Sequence, residues 1–364
     1  MPTQALYLHG FNLLPQFGPS RLIKICDFFE SPKQAFEASI QDLEHAGIEP
    51  ELAMLFDRHR STLDLEQEAG KLEQENIHLL CYQDSNYPQL LLEISKFPPL
   101  LYYKGRMDTA DELCVAVVGT RKITNYGRTV APFLIEPLVQ AGVTVVSGLA
   151  FGVDSQMQQL AINNGRRTIA VLGNGLDDKS FYPKQHLLLA SQILDNGGAL
   201  LSEYPVGTPP LKHHFIARNR IISGLCVATV IIECNLKSGS LITAKYALEQ
   251  NRNVYAVPGP IYAEMSQGPN NLIKMGAKLI TSPADILNDL NLKNLPEEVA
   301  VKNSFGDTIA ETKILQYLSF EPININDLIK LSELEAAEAT SALTFLEMKG
   351  RIKNLGAQQY IRSR

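Results

Sequence analysis

Two short segments of this 364-residue chain carry residue types that grip anions. The first is Lys237-Ser238-Gly239-Ser240, at the start of a helical stretch. Gly239 lets the backbone turn tightly and approach a ligand closely. Free N–H groups at a helix start, with the helix dipole, favour a phosphate. Lys237 adds a point charge and the serines add hydroxyl donors. A plain N-cap at Ser240 fits the same residues. The second segment is Arg218-Asn219-Arg220. Two guanidiniums and an amide around one turn suit consecutive phosphates, because guanidinium pairs with phosphate bidentately. A solvated helix face is its other reading.

Other chemistry is thinly represented. Asp154 and Glu233 stand at the ends of apolar runs. Asp154 reads as a helix cap. Glu233 reads as an acid–base group or as the partner of a nearby arginine. The first apolar run ends in Gly119-Thr120-Arg121, not in a dinucleotide fingerprint. No G-x-x-x-x-G-K-[ST] occurs, which argues against a P-loop ATPase. There is no G-x-S-x-G and no nucleophile–base pair. His213 and His214 are adjacent, but no histidines have helix-spaced metal-ligand positions. Five cysteines, Cys26, Cys81, Cys114, Cys226 and Cys234, form no C-x-x-C and read as reduced thiols, mostly buried. No metal and no cofactor are expected.

Charge sharpens the anion reading. The formal net charge is −6, which does not advertise a polyanion ligand. Between Tyr204 and Val257, however, Lys212, Arg218, Arg220, Lys237, Lys245 and Arg252 face only Glu233 and Glu249. That balance of +4 makes a local basic region in an acidic chain, as phosphate binding needs.

The elements that must position these residues follow from apolar rhythm. Residues 1–76 read as a helical module, with helices at 19–29, 32–39, 40–46 and 63–75. The Phe17-Gly18-Pro19 turn is helix-hairpin-helix-like, with Gln16 where that motif has glycine. Residues 77–289 join an extended connector to a domain of seven short apolar runs, at 114–118, 143–146, 168–172, 199–201, 227–232, 254–257 and 278–280. Helical stretches alternate with them, at 126–140, 184–194 and 241–250. The pattern predicts a doubly wound α/β sheet, mostly parallel. A polar linker, 290–307, leads to a winged-helix-like module, 308–364, with helices at 311–318, 325–330 and 332–349 and a terminal hairpin. Ser332 and Glu335 suggest a capping box. The last helix has an apolar stripe through Leu334, Ala342, Phe345 and Met348, with Leu346 beside it. No leader peptide and no run of about 20 apolar residues is present, so a cytoplasmic protein without membrane contact is expected.

The motifs together resemble the DprA/Smf DNA-processing family. They are Val117-Val118-Gly119-Thr120-Arg121, Ser147-Gly148-Leu149-Ala150, Tyr182-Pro183, Leu201-Ser202-Glu203-Tyr204, residues 218–225, residues 237–244 and Val257-Pro258-Gly259, in the family's order. The resemblance implies an extended Rossmann-like fold that dimerises and binds single-stranded DNA. It also implies loading of the RecA recombinase during natural transformation, without enzymatic activity. It points to Arg121, Lys184, Arg218, Asn219, Arg220, Lys237, Ser238, Gly239 and Ser240 as the DNA pocket. This chain departs from the family with Phe151 in place of a basic residue and Gln158 in place of a common His. Phe151 reads as a base-stacking residue or as core. The last helix carries Glu333, Glu335, Glu338 and Glu347 against Lys349, which suits a protein contact better than DNA. The competing reading is a phosphoribohydrolase-like nucleotide hydrolase, with Glu233 beside the 237–240 turn.

Overall fold

Six helices open the chain: α1 Gln4–Asn12, α2 Pro19–Phe28, α3 Pro32–Glu37, α4 Ile40–His45, α5 Pro50–Thr62 and α6 Leu65–Gln74. Proline stands in the first turn of α2, α3 and α5, where its missing N–H costs nothing. Ser39 and Asp42 close a capping box on α4. Helices α1 and α5 are additions to the sequence expectation. α1 is buried from Ala5 to Phe11 and shows no polar face to read. Phe11 and Phe56 stack at 4.0 Å in the centre of this layer.

The computed structural model describes residues 3–107, 113–292, 308–319, 322–349, 351–356 and 358–362. From residue 293 onward, the expected linker lies outside them. The chain divides into two compact units, Met1–Leu290 and Asn291–Arg364.

The first unit is organised by a nine-stranded sheet. Its strands are β1 His78–Cys81, β2 Leu100–Gly105, β3 Cys114–Val118, β4 Thr144–Ser147, β5 Thr168–Leu172, β6 Ala199–Ser202, β7 Ala228–Ile231, β8 Asn253–Ala256 and β9 Lys278–Leu279. Their order is β1-β2-β6-β5-β4-β3-β7-β8-β9. The seven from β6 to β9 are parallel, and β2 joins β6 antiparallel with Tyr102 opposite Ser202. The connector is therefore partly sheet: β1 and β2 pair antiparallel, with the short α7 Gln89–Leu92 between them. Strands β3 to β7 are buried at every position, which is why they read as unbroken apolar runs. The helices are α8 Asn125–Gln140, α9 Val153–Asn163, α10 Leu187–Asp195, α11 Lys212–Gly224, α12 Gly239–Glu249, α13 Gln267–Lys274 and α14 Pro283–Asp289.

The second unit has helices α15 Ile309–Tyr317, α16 Ile325–Ser332 and α17 Ala336–Met348, and an antiparallel sheet of β10 Ile323–Asn324, β12 Gln359–Arg362 and β11 Ile352–Gly356. This is a winged helix. Two expectations change here. Ser332 does not cap the last helix: its hydroxyl donates to the Leu328 carbonyl at 2.6 Å, and Glu333 ends α16 in a left-handed conformation. The apolar stripe is also rotated. α17 buries Ala339, Ala342, Leu343 and Leu346, and leaves Phe345 52% and Met348 78% exposed. One residue of shift turns a helix face by about 100°.

Candidate functional site

Parallel strands deliver their outgoing loops to one edge of the sheet. The chain winds outward from β3 through β4 and β5 to β6, then returns to place β7 on the other side of β3. The loops after β3 and β7 part at that point, which is where open α/β sheets hold ligands. A cavity of about 800 Å³ occupies it. The loop after β3 brings Arg121, α11 brings Arg218 and Asn219, and the start of α12 brings Lys237, Ser238, Gly239 and Ser240.

Arg218 is the buried centre of the cavity, only 5% exposed. Its Nη1 donates to the Gly148 carbonyl at 3.0 Å and to the Val171 carbonyl. Its Nε donates to Asn219 Oδ1 at 3.2 Å. Burial lowers the guanidinium to about 10, while the Asp154 charge acts in the opposite sense, so it stays charged at neutral pH. Gly148 is required here: a Cβ would stand 2.6 Å from the guanidinium. Asn219 also donates from Nδ2 to the Gly239 carbonyl at 3.2 Å. It thereby fastens Arg218 to the first residue of α12. Ser238 caps that helix by accepting from the Ser240 amide at 3.3 Å. Gly239 has ordinary backbone angles, and a Cβ on it would meet nothing within 4 Å. The turn itself does not need glycine; the glycine leaves the helix start open to a ligand.

Other expected residues fall elsewhere. Arg220 does not line the cavity. Consecutive helical side chains diverge by about 100°, so Arg218 and Arg220 leave α11 on different sides. Arg220 is buried in a forked pair with Glu203, at 3.1 and 2.6 Å. Lys184 also lies outside the cavity lining, and its ammonium is tied to the carbonyls of Asp178 and Lys179. Phe151 is 37% exposed, so the core reading fails. It borders a smaller neighbouring pocket with Arg121, Tyr182 and Phe215, and packs edge-on against His186 at 4.7 Å.

Both carboxylates have structural employment. Asp154 is buried and accepts from the Gly148 amide at 3.1 Å. Burial raises it, while Arg218 and neighbouring amides act against that rise. Glu233 is 2% exposed and lies outside the lining. It accepts from the Thr124 amide at 3.0 Å and from the Thr124 hydroxyl, holding the start of α8. Its partner is thus the start of a helix, not an arginine.

Sequence reading missed Lys212, Phe215 and Tyr182 as lining residues. Lys212, Phe215, Asn219 and Ile222 follow one another at three- or four-residue steps on α11, all facing the cavity. That period was the available signal. Arg121 stands over the Phe215 ring, 6.0 Å from its centroid. The described lining therefore gathers Arg121, Lys212, Arg218 and Lys237 against the single carboxylate of Asp154. No group of His, Cys, Asp or Glu among the described residues is arranged to hold a metal ion, and no described helix is long and apolar enough to cross a membrane.

Fold and site define a doubly wound α/β protein with a cationic switch-point cavity, carrying a winged helix at its end. The family model for DNA recombination-mediator protein A matches residues 78–291, and that for the DprA winged helix domain matches residues 300–358. The chain belongs to the DprA/Smf family. It is 44% identical to Protein Smf of Escherichia coli over 64% of this chain, and spans 62% of that protein's length. It is 39% identical to Protein Smf of Synechocystis over 79% of this chain and 73% of that one. Among solved structures, DNA processing protein A of Streptococcus pneumoniae is similar at a TM-score of 0.65 and 36% identity, covering 74% of this chain and 93% of that chain. The Helicobacter pylori protein, described for its single-stranded DNA binding mode, gives 0.52 and 31%, covering 59% and 95%.

The buried Arg220–Glu203 pair yields a stability prediction. Glu203→Gln leaves an uncompensated guanidinium and should cost about 3–5 kcal/mol in urea unfolding. Pairing Glu203→Leu with Arg220→Met should restore most of that loss.

Proposed function

We propose that this protein binds single-stranded DNA in the switch-point cavity and hands it to a RecA-type recombinase, without catalysing a reaction. The observation that carries the reading is the joint presence of four cations, an open helix start and an aromatic face in one cavity. Lys237, Arg121 and Lys212 supply phosphate charge at the rim. Arg218 and Asn219 supply fixed donors below. Phe215 supplies a face on which a base stacks, and Phe151 a second one where relatives carry a charge. A duplex hides its base faces, so an aromatic face beside a phosphate grip favours a single strand. The similar Helicobacter pylori protein, described for its single-stranded DNA binding mode, supports the same ligand class. Recombinase delivery rests on the family description alone.

Two assembly features belong to the same proposal. β9 is an edge strand whose Leu279 is exposed, with exposed Met275 just before it. These two exposed apolar side chains beside the sheet edge suit burial between two copies in a homodimer. The winged helix presents acidic residues and two large apolar side chains on α17, which suits a protein partner and repels phosphate. A cytoplasmic location follows from the proposed ligand and partner.

The test is an anisotropy titration with oligo-dT and a matched duplex across several salt concentrations. Wild type should prefer the single strand. Lys237→Ala and Arg121→Ala should weaken binding to every sequence and lower the log–log salt slope by about 0.7 each. Phe215→Ala should cost about 1–3 kcal/mol with the slope unchanged. Gly239→Ala should fold like wild type and bind more weakly, because its methyl group occupies the ligand's space. Equal affinity of Lys237→Ala, Arg121→Ala and wild type would place the DNA elsewhere.

Truncation after Leu290 should leave oligo-dT affinity within about twofold, since the winged helix adds no phosphate contact. A loss of binding in the truncated chain would overturn the assignment of α17 to a protein partner.

A further inference from the structure

One chain of buried polar groups runs from the N-terminal helical layer to the helix that lines the cavity. Asn12, at the end of α1, donates from Nδ2 to Tyr102 Oη at 3.1 Å and to the Glu203 carbonyl at 3.0 Å. Tyr102 Oη lies 2.8 Å from His9 Nδ1. His9 Nε2 faces the Glu68 carboxylate at 3.7 Å, and Glu68 also pairs with Lys71. Tyr102 Oη accepts from Asn12 and shares a second hydrogen bond with His9 Nδ1, so one hydroxyl joins both α1 side chains. Burial holds His9 neutral, at about 4, so this arrangement persists throughout the neutral range.

The far end of the chain acts on α11 at two points. The Glu203 carboxylate forks onto Arg220. The next residue, Tyr204, stacks on His214 at 4.0 Å and 24°. Arg220 and His214 flank the α11 positions that carry Phe215, Arg218 and Asn219. The Glu203 carbonyl is thus gripped by α1, the Tyr204 amide is held by Ser202 Oγ, and both residues grip α11 by their side chains. Tyr102 lies in β2, directly opposite Ser202, so sheet pairing places its hydroxyl beside this loop.

We infer that Asn12, Tyr102 and His9 are positioning residues for the cavity: they fix Glu203 and Tyr204, and through them the seating of α11. This role rests on the reading of the cavity as a nucleic-acid site. The N-terminal layer then contributes to affinity without touching the ligand.

Two full-chain variants test it. Tyr102→Phe keeps the packed ring and removes the hydroxyl; Asn12→Ala removes the donor to Glu203. In ligand-free protein, amide hydrogen exchange should quicken across residues 203–217 in both, with α9 and α12 unchanged. Oligo-dT binding should weaken by about 3–10-fold, the worth of one well-placed hydrogen bond. The salt slope should match wild type, in contrast to Lys237→Ala. Unchanged exchange over 203–217, or loosened exchange with wild-type affinity, would overturn the inference. Should wild type itself fail to bind the oligonucleotide, the cavity reading falls, while the exchange result still decides whether this chain of bonds seats α11.

Discussion

The site depends on keeping a charged guanidinium out of water. Removing an ion from solvent is costly unless its donors all find acceptors. Arg218 offsets that cost with two main-chain carbonyls and the Asn219 side chain, which accept from its Nη1 and Nε, and with the nearby charge of Asp154. Both carbonyls sit at or just past the ends of strands, Val171 in β5 and Gly148 after β4. The sheet itself thus supplies the solvation that water no longer gives. Any shift of β4 against β5 would break it, so the positive charge is held as rigidly as the sheet.

The loop from Ser147 to Asp154 is shaped by the same demand. Leu149 takes a left-handed conformation although it is buried, and Gly152 does so with a φ of +81°. A Cβ at Gly152 would collide with the Thr120 carbonyl. The Val153 amide donates to that carbonyl at 3.2 Å, and the Thr120 amide donates to the Glu233 carbonyl at 2.6 Å. The loops after β4, β3 and β7 are therefore bonded in series. Strain at Leu149 persists because its neighbours over-determine it, with Asp154 gripping one side and His186 the Leu149 carbonyl at 2.8 Å. The result is a cavity whose walls come from distant parts of the chain and move little relative to one another.

Much of this was legible because burial and period coincide in a parallel sheet. Strands β3 and β5 coincide with the expected runs, since a strand buried on both faces reads as one unbroken stretch. The Lys237–Ser240 turn and Arg121 were legible because strand ends at a switch point are few. What stayed hidden were side-chain directions. Arg218-Asn219-Arg220 looks like one cationic turn, yet helical geometry sends the outer two to different partners. Lys212 counted only toward the local charge and Phe215 went unread, because their significance lies in a shared helix face with Asn219. Helix α1 went unread because it is buried nearly all round. The rotated face of α17 came from misplacing its start by a few residues.

In an acidic protein, a cationic cavity localises the attraction for a polyanion. The net charge of −6 is spread over the chain, while the described cavity lining has one carboxylate against four cations. Across more than a Debye length of about 10 Å at 0.1 M salt, the remaining surface is screened and neither helps nor hinders binding. A chain basic throughout would hold nucleic acid anywhere on its surface. Confining positive charge to a narrow crevice, with Phe215 inside it, leaves productive binding to strands whose phosphates and bases enter together. A duplex presents its phosphates on the outside of a wide cylinder and keeps its base faces stacked, so it satisfies the rim without filling the cavity. On the proposed reading, a preference for a single strand would arise from where the charge is buried, with little contribution from the sum of charges.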